Sequence, residues 1–249
     1  MDFDATRRID GWHSPSLGQP MPIVSYGHWG HPLLLFPTAA ADFLENERFG
    51  LVGAVKPAIE AGRVRVFSIN SINNQAWMDS NLPVPEQARR QALYARYLED
   101  EVVPYIRQAC QTPDLRIATT GASFGAFHAA NTLFRRPDLF DGVIAMSGFY
   151  DLGPDYLHGY GDDNAYFNNP ASYLPNLDGE YLRLLQTACK IHILTGQGAY
   201  EAPDASRSLS RLLSGKGIPH VLDLWGHDVD HDWPWWRKML PYAIDKMGW

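Results

Sequence analysis

Short apolar runs of strand length recur along the chain and alternate with stretches that are apolar on one face only. The runs read MPIVSY, HPLLLFP, VRVFSI, LRIATT, DGVIAMSG, KIHILTG and HVLDLW. Continuous apolar runs of this length, bounded by turn residues, are typical of buried strands. The pattern therefore predicts seven strands.

Amphipathic stretches separate these runs. Between residues 86 and 110, Leu93, Tyr97 and Val102 recur near helical spacing, and Pro104 is expected to kink the last turns of this helix. Alternation of strands with helices predicts an α/β fold, with a mostly parallel central sheet and helices on both faces. Functional loops are then expected at the carboxyl ends of the strands.

One segment breaks this alternation. Residues 150–182 are rich in Gly, Asp, Asn, Pro and Tyr and lie between two predicted strands. A long irregular connection at such a place is usually functional, so we expect it to shape a substrate pocket. Its aromatic side chains either stack on a substrate or pack the loop onto the body, and packing is the favoured interpretation. These side chains are Tyr156, Tyr160, Tyr166, Phe167 and Tyr173.

Composition and charge limit the classes of protein to which the chain can belong. A chain of 249 residues with 45% hydrophobic content can bury a large core, so residues 1–249 are expected to form a single domain. The net charge of −7 and the lack of a long basic run argue against a nucleic-acid partner. The start, MDFDATRRIDGWHSP, lacks an apolar run of signal-peptide length. The expectation is a soluble, cytoplasmic protein with no membrane partner, whose two cysteines, Cys110 and Cys189, are buried or incidental thiols.

Residues 121–125 read GASFG, a G-x-S-x-G pattern centred on Ser123. The pattern alone arises by chance, so its context decides between a nucleophile and a structural turn. Here a predicted strand runs directly into Gly121 and a credible helix begins at Phe124, which is the strand, tight turn and helix that a nucleophilic serine requires. Small residues at Gly121 and Gly125 suit such a turn, and the N–H of Phe124 would face a developing oxyanion.

A serine hydroxyl needs a base, which is expected on a loop after the last strand. His227 follows the strand HVLDLW directly, whereas His231 lies farther out, just before a helix that is expected to start near Trp233 or Pro234. The outer position has the reach, so His231 is the predicted base. His227 is expected to be a structural loop residue that hydrogen-bonds to the backbone.

Metal binding is the competing interpretation of this loop. The two histidines and the neighbouring Asp228, Asp230 and Asp232 form a dense set of possible ligands. No helix is predicted to hold the two histidines on one face, as a chelating H-x-x-x-H pair would need. The expectation is no metal site.

Three segments resemble a known family, the esterases of the α/β-hydrolase superfamily that include esterase D-like enzymes, feruloyl esterase domains and the mycobacterial antigen 85 acyltransferases. Residues 121–125 look like the family's nucleophile turn, His231, Trp233 and Trp236 resemble its H-x-W-x-x-W ending, and LEDEVVPYI resembles its helix before the nucleophile strand. The similarity runs from about Pro32 onward. It implies an α/β-hydrolase fold without a separate large cap domain, and a Ser-His-acid triad that acts on a small-molecule carboxylic ester without a cofactor.

The resemblance also implies a second oxyanion donor in the loop after LLLFP. Thr38 or Ala39 would offer a backbone N–H there, and Thr38 is the predicted donor. The sequence departs from the family at this point, because Pro37 stands where relatives often have glycine and has no N–H of its own.

The acid of the triad is expected on the loop after KIHILTG. Asp204 follows Pro203, an arrangement common in the first turn of a helix, where an acid stabilises the helix N-terminus. Glu201 lies nearer to the strand end, and Ala199 occupies the more usual position of the acid. Glu201 is therefore the predicted acid.

These residues predict acyl transfer through an acyl-enzyme on Ser123, with His231 as base and the N–H groups of Phe124 and Thr38 around the oxyanion. Ester hydrolysis is the leading hypothesis. An acyltransferase or thioesterase with the same triad remains an alternative, as does a catalytically silent binding protein on this fold.

Overall fold

The computed structural model describes residues 6–249. Residues 1–5, which begin the segment expected to lack a signal peptide, lie outside the described part.

Eight strands form one sheet whose order is β1-β2-β4-β3-β5-β6-β7-β8. The first two strands run antiparallel to their neighbours, and all the other pairs are parallel. The mostly parallel sheet expected from the sequence is confirmed. The strands are β1 (Arg8–Ser14), β2 (Gln19–Tyr26), β3 (His31–Phe36), β4 (Val64–Ile69), β5 (Ile117–Ala122), β6 (Phe140–Met146), β7 (Lys190–Thr195) and β8 (Val221–Leu224).

The seven predicted strands correspond to β2 through β8, whereas β1 was not predicted. This strand lies at the edge of the sheet, and most of its residues are exposed or half-buried. Its sequence, RIDGWHS, therefore carries no continuous apolar run. An edge strand paired on one side needs little burial, which is why the apolar pattern misses it.

Eleven α-helices are described, several of them a single turn long. The predicted helix at residues 86–110 is α4 and α5, joined by a π-helical turn at Leu98–Val102 just before Pro104, where the kink was expected. The helices are α1 (Glu45–Arg48), α2 (Leu51–Ala54), α3 (Lys56–Glu60), α4 (Val84–Tyr97), α5 (Val103–Ala109), α6 (Phe124–Arg135), α7 (Asp163–Tyr166), α8 (Pro170–Tyr173), α9 (Gly179–Thr187), α10 (Pro203–Gly215) and α11 (Trp233–Met247).

Two apolar layers cover the two faces of the sheet. Along β3, Leu34 and Phe36 belong to the layer under α4, α5, α6, α9 and α10, whereas Leu33 and Leu35 belong to the layer under α2, α3 and α11. This alternation follows from the two-residue period of a strand. Helices on both faces are therefore confirmed.

Residues 150–182 consist of a π-helical turn, the short helices α7 and α8, a single 3-10 turn and the start of α9. They form no separate cap domain within residues 6–249. In the same range, no helix combines the length and the apolar character that crossing a bilayer requires. Cys110 and Cys189 are free and half-buried.

Candidate active site

Ser123 occupies a sharp turn between β5 and α6. Its backbone has φ 56° and ψ −123°, a conformation that L-residues rarely adopt. A Cβ atom on Gly121 would lie 2.5 Å from the backbone of Gly125, and one on Gly125 would lie 2.6 Å from the Pro37 carbonyl oxygen. Both positions therefore require glycine, as the sequence predicted for a nucleophile turn.

Two groups at this turn are free to meet a substrate. Helix α6 begins at Phe124, and no hydrogen bond among residues 6–249 uses the Phe124 N–H or the Ser123 hydroxyl. Free N–H groups at a helix N-terminus carry a partial positive charge. The turn thus places a hydroxyl beside a donor suited to an oxyanion.

The loop after β3 leaves the sheet beside this turn, because Phe36 pairs with Gly121 in parallel register. The Thr38 N–H donates to Oε2 of Glu45 at 2.7 Å, and the Thr38 hydroxyl donates to Oε1 of the same carboxylate at 2.8 Å. The sequence-based choice of Thr38 assumed a free N–H, and in this structure that N–H already has an acceptor.

The carbonyl group of Ala39, the alternative donor, accepts two hydrogen bonds. Its carbonyl oxygen accepts from the Ser71 hydroxyl at 3.1 Å and from the Asn73 amide at 2.5 Å. Asn73 in turn contacts Nε2 of the buried His128 at 2.8 Å. No hydrogen bond within residues 6–249 uses the Ala39 N–H.

His231 lies on the loop between β8 and α11, as the sequence placed it. Its Nδ1 atom lies 3.6 Å from Oε2 of Glu201, and its ring meets the Trp236 ring edge-on with centroids 5.1 Å apart. Since Nδ1 faces the carboxylate, Nε2 is the ring nitrogen left for another partner. No hydrogen bond joins His231 to the Ser123 hydroxyl in this structure; such bonds are often long in enzymes without substrate.

Glu201 has a fully buried side chain. Its Oε1 accepts from the Ser147 hydroxyl at 2.6 Å, and its Oε2 lies 3.0 Å from the Thr195 hydroxyl. Burial raises the pKa of Glu201, but His231, the two hydroxyls and the Gly196 N–H stabilise the charged form and hold the pKa below its ordinary value. Glu201 is therefore ionised at neutral pH.

Asp204 and His227, the alternatives for the acid and the base, are both exposed. The Asp204 side chain is 90% exposed in the first turn of α10 and pairs with Arg207 at 2.8 Å, the structural position anticipated for it. His227 is exposed, and the expected backbone hydrogen bond is absent among the described residues. The neighbouring Gly226 and Asp228 are exposed as well, so the ring faces solvent.

Hydrogen bonds donated by backbone N–H groups join the loops that carry the acid and the histidine. The Gly198 N–H donates to Val229 O at 2.9 Å, the Ala199 N–H to Asp230 Oδ1 at 2.7 Å, and the His231 N–H to Ala199 O at 3.0 Å. At Gly196 the loops approach so closely that a Cβ atom would overlap the Val229 carbonyl oxygen. These contacts fix His231 relative to Glu201.

The candidate metal ligands of this loop do not converge. Within residues 6–249 no group of three His, Cys, Asp or Glu side chains could hold a metal ion. Asp230 instead accepts from Ala199, and Asp232 caps α11 by accepting the Trp233 N–H at 2.7 Å.

Three residues around the site were not anticipated from the sequence: Glu45, Ser147 and Thr195. Ser147 and Thr195 are short polar residues at strand ends, and Glu45 begins a one-turn helix, so none of them gives a local signal of the partner it meets. Backbone strain does mark the region, because three of the five described non-glycine residues with positive φ are Ser123, Ser147 and Tyr200, each next to or within the site.

The aromatic residues of the segment 150–182 divide into two groups. Tyr156 contacts Phe124 at 5.6 Å and Trp77 at 6.4 Å between ring centroids. Tyr160 packs against the same cluster. A cavity of about 300 Å³ lies beside Tyr156, walled by Trp77, Met78 and Val84 among others. The remaining residues, Tyr166, Phe167 and Tyr173, line a different cavity with Phe134.

Known structures share this architecture. A ferulic acid esterase superposes with a TM-score of 0.74 at 17% identity, covering 96% of each chain. The S-formylglutathione hydrolase of Staphylococcus aureus gives 0.72 at 15% identity, covering 97% of this chain and 98% of the other. MPT51 of Mycobacterium tuberculosis gives 0.69 at 17% identity, covering 96% and 97%. At such identities these likenesses show the α/β-hydrolase fold.

Sequence comparison adds the family. A search of curated protein sequences found no match. The family model described as putative esterase matches residues 58–247, which is more than half of the chain. The chain therefore belongs to the putative esterase family, a family of carboxylic ester hydrolases, and has the α/β-hydrolase fold.

Proposed function

We propose that the protein is a serine esterase that cleaves a small-molecule carboxylic ester through an acyl-enzyme on Ser123. One observation carries the proposal: a serine in a strained strand-to-helix turn lies at the same edge of the sheet as a histidine whose Nδ1 faces a fully buried carboxylate. This is the arrangement by which a hydroxyl is activated as a nucleophile.

The roles follow from the geometry. Nε2 of His231 takes the Ser123 proton as the alkoxide attacks the ester carbonyl, and the protonated ring then gives that proton to the leaving alcohol. The ionised Glu201 stabilises the imidazolium and keeps Nδ1 protonated. Water, activated by the same ring, cleaves the acyl-enzyme and releases the acid.

Two backbone donors hold the tetrahedral oxyanion. The first is the N–H of Phe124, at the start of α6. The second comes from the Thr38–Ala39 segment, and we assign it to Ala39, because the Thr38 N–H is engaged by Glu45 whereas that of Ala39 has no acceptor among the described residues. Ser71 and Asn73, bonded to the Ala39 carbonyl, hold this segment in place.

One side group of the ester occupies the cavity between Trp77 and Tyr156. This cavity adjoins the aromatic cluster that contains Phe124, so a group bonded to the reacting carbonyl can extend into it. Its walls combine the aromatic rings of Trp77 and Tyr156 with polar side chains that include Gln87, Asp155 and His158, which favours a flat group that carries a polar substituent.

The test combines turnover with covalent labelling. The protein should hydrolyse p-nitrophenyl esters, and a fluorophosphonate should form one adduct, on Ser123, detectable by mass spectrometry. Ser123→Ala should abolish both. The chain supplies a matched control: the hydroxyl of Ser210 contacts Nε2 of His220 at 2.7 Å, yet Nδ1 of that ring lies against a backbone carbonyl rather than a carboxylate.

Ser210→Ala should therefore leave turnover and labelling unchanged. An adduct on another residue, or full turnover by Ser123→Ala, would refute the proposal.

A further inference from the structure

Ser147 occupies a strained position directly after β6. Its φ is 51°, in the left-handed region, where a residue with a side chain is held only if its surroundings compensate the strain. Its N–H donates to Leu194 O at 2.7 Å, and the residue is 6% exposed. The preceding Met146 accepts the N–H of Ser123 at 3.0 Å, so Ser147 lies one residue from the nucleophile turn.

The direction of hydrogen bonding through the Ser147 hydroxyl is determined by its partners. The indole N–H of Trp236 is only a donor, and it points at Ser147 Oγ at 3.0 Å. The hydroxyl therefore accepts from Trp236, and its single proton is left for Oε1 of Glu201 at 2.6 Å. An ionised carboxylate is only an acceptor, which agrees with this assignment.

The direction of the hydrogen bond between Thr195 and Glu201 is not determined in the same way. Thr195 lies 3.0 Å from Oε2, but its single proton can also go to the Gly196 carbonyl oxygen at 3.2 Å. Oε1 contacts Ser147 alone among the described side chains, and Oε2 is the oxygen 3.6 Å from Nδ1 of His231. The bond from Ser147 thus fixes one oxygen of the carboxylate while the other faces the imidazole.

We propose that Ser147 is a positioning residue, which holds the Glu201 carboxylate so that its second oxygen faces Nδ1 of His231. The proposal rests on the serine esterase function proposed above. Trp236 extends the arrangement, since the residue that donates to Ser147 also packs its ring edge-on against His231. One hydroxyl therefore connects the acid to the residue that orients the base.

Loss of this hydroxyl has a defined electrostatic consequence. Oε1 of a fully buried carboxylate would be left without a donor, which makes the charged form of Glu201 less stable. The titratable groups that act on Glu201 are His231 and Tyr150, and burial raises the pKa of Tyr150, which therefore stays neutral across the working range. The pKa of the Glu201 carboxyl should then rise.

The test compares Ser147→Ala with Ser147→Gly, because glycine adopts a φ of 51° without strain yet also lacks the hydroxyl. Both variants should lose about 10- to 100-fold in kcat, as expected for a catalytic group displaced by about 1 Å. KM should change little, because Ser147 is buried and contacts Glu201 and Trp236, and the pKa of the Glu201 carboxyl should rise. A merely structural defect would lower activity without raising that pKa.

Ser68→Ala is the matched control, since the Ser68 hydroxyl is also fully buried and makes no hydrogen bond to the described residues. It should keep kcat and leave the pKa of Glu201 unchanged. NMR titration of the Glu201 carboxyl carbon gives a readout independent of turnover, and the pKa of that carboxyl should rise in Ser147→Gly.

Two results would overturn the inference: normal kcat in Ser147→Gly, or a pKa of Glu201 that does not rise in that variant. If Ser147→Ala fails to fold, the glycine variant decides alone. Absence of ester turnover in the unaltered protein would instead refute the proposed function, and the NMR titration would still decide on Ser147.

Discussion

Nδ1 of His231 lies 3.6 Å from Oε2 of Glu201, and the two residues are held on loops that hydrogen-bond to each other. Replacement of Glu201 by glutamine keeps the shape of the side chain and removes its charge. We expect Glu201→Gln to lower kcat by up to about 10⁴-fold, because the imidazolium loses its counter-charge and its fixed tautomer.

Asp204→Asn is the matched control, because Asp204 is exposed in the first turn of α10. It should keep kcat. Its free energy of unfolding should fall by about 0.3–1 kcal/mol, the usual contribution of a charge at a helix N-terminus. Steady-state kinetics and thermal melts of both variants check the assignment. A near-normal rate in Glu201→Gln would give the role to another residue.

Replacement of the two histidines in the loop before α11 should lower kcat by very different factors. His231→Ala should lower kcat by about 10³- to 10⁴-fold, since the general base is removed. His227→Ala should cost less than about threefold, because the ring is exposed and has no hydrogen-bond partner among the described residues. Initial rates on one p-nitrophenyl ester decide this, and the reverse ranking would make His227 the base.

The close contact at Gly196 predicts a second way to disable the site. In Gly196→Ala the new methyl group would overlap the Val229 carbonyl oxygen and push the His231 loop away from Glu201. We expect a loss of about 100-fold in kcat and about 1–3 kcal/mol of stability. Gly215→Ala is the control, because a Cβ atom there meets nothing within 4 Å. Equal activity of the two variants would contradict the prediction.

His128 should make the stability of the protein depend on pH. This residue of α6 is fully buried, and burial lowers its pKa from 6.5 to about 3. Between these values the unfolded chain binds a proton that the folded protein does not. The stabilisation is therefore complete above about pH 6.5 and is lost at about 1.4 kcal/mol per pH unit as the pH falls towards 3.

The comparison is with His128→Gln, whose amide can still donate to Asn73 but does not titrate. Urea unfolding at about pH 7 and about pH 5 should show a smaller fall in free energy for this variant than for the unaltered protein. The other titrating groups cancel in this comparison. Equal falls would show that His128 is protonated in the folded protein.

Local features of the sequence were sufficient for the α/β class and for the turn that holds the serine. Continuous apolar runs predicted β2 through β8. In the central strands such a run follows from helices that cover both faces, whereas the edge strand β8 has one although none of its residues is buried. The segment around Ser123 was equally local: two glycines, a strand before it and a helix after it require nothing from the rest of the chain. Strand β1 escaped notice because an edge strand needs no such pattern.

The partners of each polar group depended on tertiary structure. Ser147 and Glu201 are 54 positions apart, and Trp236 and Ser147 are 89 apart, so no local pattern could pair them. The preference for Glu201 over Asp204 rested on a loop position, whereas burial of one carboxylate and exposure of the other distinguish them physically.

Thr38 is a second residue whose hydrogen-bond partner the sequence did not predict. The register of β3 with β5 places its loop next to Ser123, as expected, but Glu45, seven positions along, accepts its N–H. The sequence by itself determined the strands and the nucleophile turn, because apolar runs and turn chemistry are local properties, and the carboxyl ends of parallel strands share one edge of the sheet. Only the packed structure decided which donor meets which acceptor there, because each buried polar group takes the partner that three-dimensional packing brings within about 3 Å.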